Sequence, residues 1–240
     1  MLQKSKLVII LFGMKQIMTL LLGAVLSLVP LLAIADSLQL AVQHVESEWA
    51  RIHYRSATEQ RAVEFQRLLH SVHTLKKKYP HQAELIIQQA IIVASKAEHV
   101  NPFSALAAIY EARDLLLQAI ELNPNASDGA AFVVLGSLYY LVPGWPIAYG
   151  DDEKAQQLLS KALSINPNTI DANYFYADFL LAQGKQKQAT LYFNRALAIP
   201  VRATQVFADT QLHTQAAQAV LAASQGLAIN SKSGLSLAAK

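Results

Sequence analysis

Residues 132–140 read Phe-Val-Val-Leu-Gly-Ser-Leu-Tyr-Tyr, and their spacing decides the fold. An aromatic residue, a Leu-Gly pair and a tyrosine follow one another at Phe132, Leu135, Gly136 and Tyr139. A glycine in such a segment lets a second helix approach closely, while the aromatic and leucine side chains fill the space between neighbouring units. This stretch therefore predicts the first helix of a helical hairpin.

The pattern recurs along the chain with a period near 34 residues. The second helix of the same unit carries Ala155, Leu159, Ala162 and Pro167. The next unit carries Asn173, Tyr176, Ala177 and Leu180, a turn at Gly184, and then Ala189, Phe193, Ala196 and Pro200. A preceding half-unit supplies Ala112, Leu116, Ala119 and Pro124. We predict stacked hairpins with units at about 129–168 and 169–201 and a half-unit at 104–124.

The flanking segments also favour helix, because Ala, Leu, Gln, Glu and Lys dominate them. Helices are predicted over 38–53, from a Ser56–Glu59 capping box to Lys78, over 82–98, and from an Asn101 cap to Asn123. The second of these would bury a stripe of Val63, Leu68, Leu69, Val72 and Leu75. A segment at about 204–223 would cap the stack, and a tail from Ser224 would be mobile. The predicted fold is all-α: a short right-handed α-solenoid with an N-terminal helical extension and a C-terminal capping helix.

A ten-residue segment, 141–150, replaces the tight turn expected inside the middle hairpin. It contains Trp145 and Tyr149 among prolines and glycines, and ordering such a loop is costly unless it packs or binds. Asp151 then has the position of an N-cap, with two further acids in the first turn of the next helix. The loop is a candidate functional segment.

The first 35 residues have the pattern of a secretory signal. Lys4 and Lys6 precede an apolar run that continues to Leu32, and the run ends at Ala33-Ile34-Ala35. We expect cleavage after Ala35, with Met1 or Met14 as the start. The alternative is a permanent N-terminal anchor, because an apolar run of roughly 20 residues can span a bilayer. The segment 36–223 is then expected to form a single helical domain in the periplasm.

Composition excludes several classes of protein. The chain holds 20 Lys and Arg, 17 Asp and Glu, and no Cys. Removing the segment to Ala35 takes away three lysines and no acid, which leaves a balance of 17 to 17. A near-neutral domain lacks the basic surface of a nucleic-acid binder. Without Cys, the domain has no disulfides, thiolate metal sites or acylated anchor.

The repeat resembles the tetratricopeptide (TPR) family, whose W-x2-L-G-x2-Y motif is matched at Phe132–Tyr139 with Phe in place of Trp. Over residues 129–200, Gly150-Asp151 followed by Lys154-Ala155, together with the run 171–176, resembles the TatT-type proteins. Those are periplasmic partners of tripartite ATP-independent periplasmic (TRAP) transporters. The resemblance implies a helical, oligomeric adaptor that engages a solute-binding protein, with a ligand path of its own.

In such a repeat, positions 2, 5, 9 and 12 of the first helix face a groove. These positions are Ala130, Val133, Ser137 and Tyr140 in one unit and Asp171, Tyr174, Asp178 and Leu181 in the next. Because aromatic side chains give large contact areas with few rotatable bonds, the predicted binding residues are Tyr140, Trp145, Tyr149, Asp171, Tyr174 and Asp178. The alternative is that Tyr174 and Trp145 pack against each other.

No catalytic or cofactor motif is present: the chain has no nucleophile elbow, P-loop or dinucleotide fingerprint. His70 and His73 share a helical face, but two ligands do not make a zinc site. We therefore predict no enzyme activity, no cofactor and no metal.

Three functions remain open, and the first two belong to different classes. The first is a scaffold or adaptor that binds a partner protein. The second is a small-molecule binding protein whose pocket is closed by the 141–150 loop. The third is a self-associating subunit.

Overall fold

The computed structural model describes residues 36–225. The predicted signal segment 1–35 and the tail beyond residue 225 lie outside the described residues. Residues 36–55 are helical. Contacts divide the chain into a short unit, Met1–Ala41, and a large unit, Val42–Lys240. We use α1 for the part of the first helix in the large unit, residues 42–55.

The large unit continues with eight further α-helices among its described residues. They are α2 (Thr58–Lys78), α3 (Ala83–Ala97), α4 (Pro102–Leu122), α5 (Ala130–Leu141), α6 (Asp152–Ile165), α7 (Ile170–Ala182), α8 (Gln186–Ala198) and α9 (Val206–Ser224). A single 3₁₀ turn, Ala126–Gly129, precedes α5. Between residues 36 and 225 the only β pairing is an isolated bridge from Gly144 to Gly150. The all-α prediction is confirmed.

The helices pack as consecutive antiparallel pairs. The closest partners are α3 with α4, α5 with α6, and α7 with α8, while α9 packs on α8. The first helices of successive pairs also touch, α5 with α7 and α7 with α9. This is the stacking of a helical-repeat solenoid.

Small residues hold the pairs together. An added Cβ on Gly136 would lie 2.7 Å from Leu159 Cγ, so the glycine is required for the close approach of α5 and α6. Alanines at the contacts between helices are fully buried: Ala112, Ala119, Ala155, Ala162, Ala177 and Ala196. Side chains of Phe132, Leu135, Ala189 and Phe193 are buried beside them. Tyr139 is half-buried, and Pro167 is exposed where α6 ends.

Two predicted helix caps are confirmed. Asn101 Oδ1 accepts a hydrogen bond from the Ser104 amide at 3.0 Å, and Pro102 occupies the first turn of α4. Asp151 Oδ1 accepts from the Lys154 amide at 3.0 Å at the start of α6. Each side chain satisfies an amide that the helix leaves unpaired.

The predicted capping box at Ser56 is wrong. The N-cap of α2 is Ala57, and it has no side-chain hydrogen bond. Ser56 Oγ instead donates to Glu64 at 2.9 Å and accepts from Arg51 at 3.2 Å. The Ser56 hydroxyl is therefore hydrogen-bonded to the Arg51–Glu64 ion pair at the corner between α1 and α2, and it does not cap α2.

The predicted apolar stripe of α2 is wrong at one position. Val63 is 54% exposed, whereas Phe65 is fully buried. Leu68, Leu69 and Val72 are buried as expected. The stripe is therefore displaced towards the face that packs on α3.

Candidate binding surfaces

The first helices of the pairs, α3, α5 and α7, form one face of the stack together with α9. We call this the groove face. Its positions on α5 and α7 are buried: Val133, Ser137, Tyr174 and Asp178 are each less than 5% exposed. On α3, Gln88 and Ser95 are buried as well. Buried polar side chains on this face require a covering element.

That element is α1, which contacts the groove face at both ends. Near α3, the indole Nε1 of Trp49 donates to Ser95 Oγ at 2.8 Å. Near α9, the Tyr54 ring packs edge-on against Phe207 with centroids 5.8 Å apart, and the Arg55 guanidinium lies 3.8 Å from the same ring centroid. The helix therefore lies on the face that open repeat stacks use for ligands.

Glu46 makes the central polar contact of α1. Its carboxylate accepts a hydrogen bond from Gln88 of α3 at 3.1 Å and another from Gln205, the N-cap of α9. Burial raises the pKa of Glu46 above its ordinary value, and the nearby Asp171 and Asp209 carboxylates add to the effect. The hydrogen bond from Gln205 and the positive charge of the more distant Arg202 only partly offset this rise.

Arg202 connects the acidic side chains of this region. Its guanidinium bonds both oxygens of Asp209, which is completely buried, and Nη2 also donates to Asp171 Oδ2 at 2.8 Å. Its backbone amide donates to Asp209 Oδ2 at 2.8 Å. One cation thus serves two carboxylates, and the third acid, Glu46, is bound only by amides.

The structure brings four of the six predicted binding residues to the groove face. Tyr140 Oη donates to Asp178 Oδ2 at 2.6 Å, and Tyr174 Oη donates to Gln215 Oε1 at 2.7 Å. Burial raises the pKa of Tyr174 above its ordinary value. Burial also raises the pKa of Asp171 against the opposing effect of Arg202, although 35% of its side chain stays exposed.

The other two predicted residues, Trp145 and Tyr149, are separated from that group. Tyr149 Oη donates to the Ile109 carbonyl at 2.9 Å, and its ring packs edge-on against Tyr110 of α4 at 5.1 Å. Burial raises the pKa of Tyr149. Trp145 is 89% exposed, whereas Tyr174 packs on Phe175 and Phe193. The alternative in which Trp145 and Tyr174 pack together is not found.

The 141–150 loop is held at its base by backbone hydrogen bonds. The Gly150 amide donates to the Pro143 carbonyl at 2.9 Å, and the Asp151 amide donates to the Tyr139 carbonyl at 2.8 Å. A Cβ on Gly150 would lie 2.9 Å from the Pro143 carbonyl carbon and closer still to the Val142 oxygen. The loop therefore presents Trp145 from a fixed base.

A second polar cluster lies at the α1–α2–α3 junction. His53 is 8% exposed, stacks on Trp49 at 4.9 Å, and leaves Nδ1 without a hydrogen bond. Burial lowers the pKa of His53 to about 4, and Arg61 and His99 act in the same direction. Burial raises the pKa of Glu98 to about 8, against Arg61.

Sequence reasoning missed the α1 residues and Arg202. The available signal was an N-terminal helix with Glu46, Trp49 and Tyr54 immediately before the repeats. Nothing in its own periodicity shows which face of a later repeat it contacts.

The described residues were also searched for metal-ligand clusters and for helices that could span a membrane. Within residues 36–225, no three His, Asp or Glu side chains converge as metal ligands. No helix in this range combines the length and apolarity needed to cross a bilayer.

Comparison with known protein families agrees with the packing. Residues 147–207 match the tetratricopeptide repeat family. No curated protein matched the chain. The match covers α6, α7 and α8, the helices whose alanine contacts define the stack. The chain is therefore a helical-repeat protein in which residues 147–207 are similar to tetratricopeptide repeats.

Proposed function

We propose that this protein is an exported tetratricopeptide adaptor that binds a partner protein through its 141–150 loop. Repeats of this family serve as interaction scaffolds, and the groove face here is covered by α1. The observation that carries the proposal is the exposure of Trp145, 89%, on a loop fixed at its base. Exposed tryptophans on ordered loops are favoured contact residues because they bury much area at little entropic cost.

The loop surface indicates the chemistry of the partner. Ile147, two residues from Trp145, is 65% exposed. Asp151, Asp152 and Glu153 follow the base of the loop directly. An apolar tip beside carboxylates fits a protein pocket with a basic rim, and the same carboxylates disfavour an anionic membrane surface.

The location and the partner class are further parts of the proposal. Lys4, Lys6, the apolar run and Ala33-Ile34-Ala35 support export to the periplasm with cleavage after Ala35. The resemblance of residues 129–200 to TatT-type proteins supports a TRAP-transporter solute-binding protein as the partner. The same resemblance supports self-association of the adaptor.

The experiment is affinity capture of a co-expressed solute-binding protein by the chain carrying Trp145→Ala and Ile147→Ser. We expect capture to fall at least tenfold while the melting temperature stays within about 2 °C, because exposed side chains contribute little to folding. Phe103→Ser is the matched control, since Phe103 is also 89% exposed but lies on α4. Equal capture by the loop variant and the parent would refute the proposal.

A further inference from the structure

A cleft of about 540 Å³ lies between α1 and α2. Its floor consists of aliphatic side chains from both helices: Val45, Ile52, Leu68 and Leu75. The first three are buried members of the core that α1 shares with α2 and α3, and Leu75 packs against that core. The floor is therefore held in place by the fold, and a cleft of this volume suits a small organic molecule.

The floor favours an aliphatic group. No phenylalanine, tyrosine or tryptophan lines the cleft, so ring stacking would contribute nothing to binding there. Residues 44–52 of α1 run along the cleft and rise about 12 Å, which favours a linear chain over a compact one. Each methylene fully buried on such a floor is worth about fourfold in affinity.

The two acidic side chains at the rim are already neutralised. Arg51 Nε lies 3.0 Å from Glu48 Oε2, and Arg51 Nη2 lies 2.8 Å from Glu64 Oε2. The hydrogen bond from Arg51 holds the pKa of Glu64 below its ordinary value. Because these charges are paired with one another, neither acid is available to neutralise a further cation at the rim.

Arg67 is that further cation. It lines the cleft from the exposed side of α2, and within the described part of the chain its side chain forms no ion pair or hydrogen bond. Ser71, one turn later, lines the cleft beside it and donates to the Arg67 carbonyl at 3.3 Å. A guanidinium binds a carboxylate through two parallel hydrogen bonds, so the rim offers one site for one carboxylate.

We propose that the α1–α2 cleft binds an aliphatic monocarboxylate, with its chain on the aliphatic floor and its carboxylate on Arg67. A second carboxylate on the ligand would lose its hydration against the floor, so the cleft discriminates against dicarboxylates. The cleft involves neither the Trp145 loop nor residues 129–200, which carry the resemblance to TatT-type proteins. The proposal therefore does not rest on the proposed function.

The test is calorimetric titration of the full chain with hexanoate, octanoate and decanoate, each below its micellar concentration. Affinity should rise at least twofold per methylene, since an open cleft buries each group only in part. Arg67→Gln should weaken decanoate binding at least tenfold, because the charged hydrogen bonds are lost. Lys77→Gln removes an exposed cation of α2 outside the cleft, so it is the matched control and should bind as the parent does. Decanedioate should bind at least tenfold more weakly than decanoate.

A second set of variants tests the location. Ser71→Phe places a ring over the floor and should abolish decanoate binding, while circular dichroism shows whether the chain is folded. Thr74→Phe adds the same ring to an exposed position of α2 outside the cleft and should leave binding unchanged. Trp145→Ala should also leave it unchanged, which separates this site from the loop surface.

Several results would overturn the proposal. Equal decanoate affinities of Arg67→Gln and Lys77→Gln would do so, as would unchanged binding by a folded Ser71→Phe chain. A flat chain-length series, or no saturable binding of decanoate, would exclude the aliphatic floor as a binding surface. Loss of binding in Trp145→Ala would move the site to the loop. Binding to phosphatidylglycerol vesicles without binding of soluble decanoate would assign the cleft to a membrane surface and exclude a free carboxylate.

Discussion

Glu46 and Gln205 are hydrogen-bonded to each other across 159 positions of sequence. Glu46 lies on α1, and Gln205 is the N-cap of α9. The bond ties the first helix of the large unit to the last described one, over the groove face between them. The strength of this hydrogen bond depends on the charge state of Glu46.

We expect Glu46→Gln to leave stability unchanged or to raise it by about 1 kcal/mol at pH 7, because the amide removes an uncompensated buried charge. The folded pKa of Glu46 lies above its ordinary value of 4.5, so the native state binds more protons than the unfolded chain. The contribution of this group to stability therefore falls as pH rises from about 4.5. Urea denaturation at pH 5 and pH 7 measures the change.

The control for that series is Glu48→Gln, since Glu48 is 36% exposed and paired with Arg51. It should keep the pH dependence of the parent. A Glu46→Gln chain with the same slope between pH 5 and 7 as the parent contradicts the assignment.

Replacing Arg202 with Met should cost roughly 3 kcal/mol or more, because Asp209 is completely buried and would lose its cation. Arg51→Met removes an ion pair at the exposed α1–α2 corner and should cost less than about 1 kcal/mol. Thermal unfolding followed by circular dichroism compares the two. Equal costs would mean that water reaches Asp209 in the native state.

Gly136→Ala should destabilise the chain by roughly 1–3 kcal/mol, since the added methyl lies 2.7 Å from Leu159 Cγ and forces α5 away from α6. Gly144→Ala is the matched control, because its Cβ would meet only the Gly150 carbonyl oxygen, at 3.5 Å. Denaturant midpoints distinguish them. A Gly136→Ala chain as stable as the control would show that the hairpin tolerates a wider spacing.

Acidification should destabilise the parent through His53. Its folded pKa of about 4 lies below the ordinary 6.5, so the unfolded chain binds more protons in this range. The contribution of His53 to the free energy of unfolding is fully present above pH 6.5. It falls by up to about 3 kcal/mol as the pH drops towards 4. His53→Phe should flatten this part of the profile, and His73→Phe, on the exposed side of α2, should not. Identical acid profiles for parent and His53→Phe would exclude this origin.

Tyr149→Phe should cost about 1 kcal/mol by removing the hydrogen bond to the Ile109 carbonyl. Because this bond ties the loop to α4, hydrogen exchange at residues 143–150 should accelerate. Tyr192→Phe, which keeps a ring pair with Tyr176, serves as the comparison. Unchanged exchange rates would show that the backbone hydrogen bonds of Gly150 and Asp151 hold the loop in place without the Tyr149 hydroxyl.

Local features of the fold could be predicted from the sequence because their causes lie within a few residues. The caps at Asn101 and Asp151 depend on amides three positions away. The spacing of the alanines in α6 and α8 directly predicts the surfaces with which these helices pack on α5 and α7. Ser56 shows the limit, since Glu64 competes for the same hydroxyl from outside the cap.

The groove face could be predicted only in part. Repeat positions predicted that Tyr174 and Asp178 lie on that face, but they did not predict what covers these residues. The covering contacts join α1 to α3 and α9, and they depend on packing that no local pattern records. Trp145 could be identified as unusual from its loop, but the sequence does not show that Tyr149 packs on α4 while Trp145 stays exposed.

The hydrogen bond between Glu46 and Gln205 also depends on the number of repeats that lie between them. A helix of 14 residues is about 21 Å long, and neighbouring helices lie about 10 Å apart. Duplication of one hairpin would carry Gln205 beyond the reach of Glu46, and deletion would force α9 into α1. A change in the number of hairpins would therefore remove this contact between α1 and the start of α9.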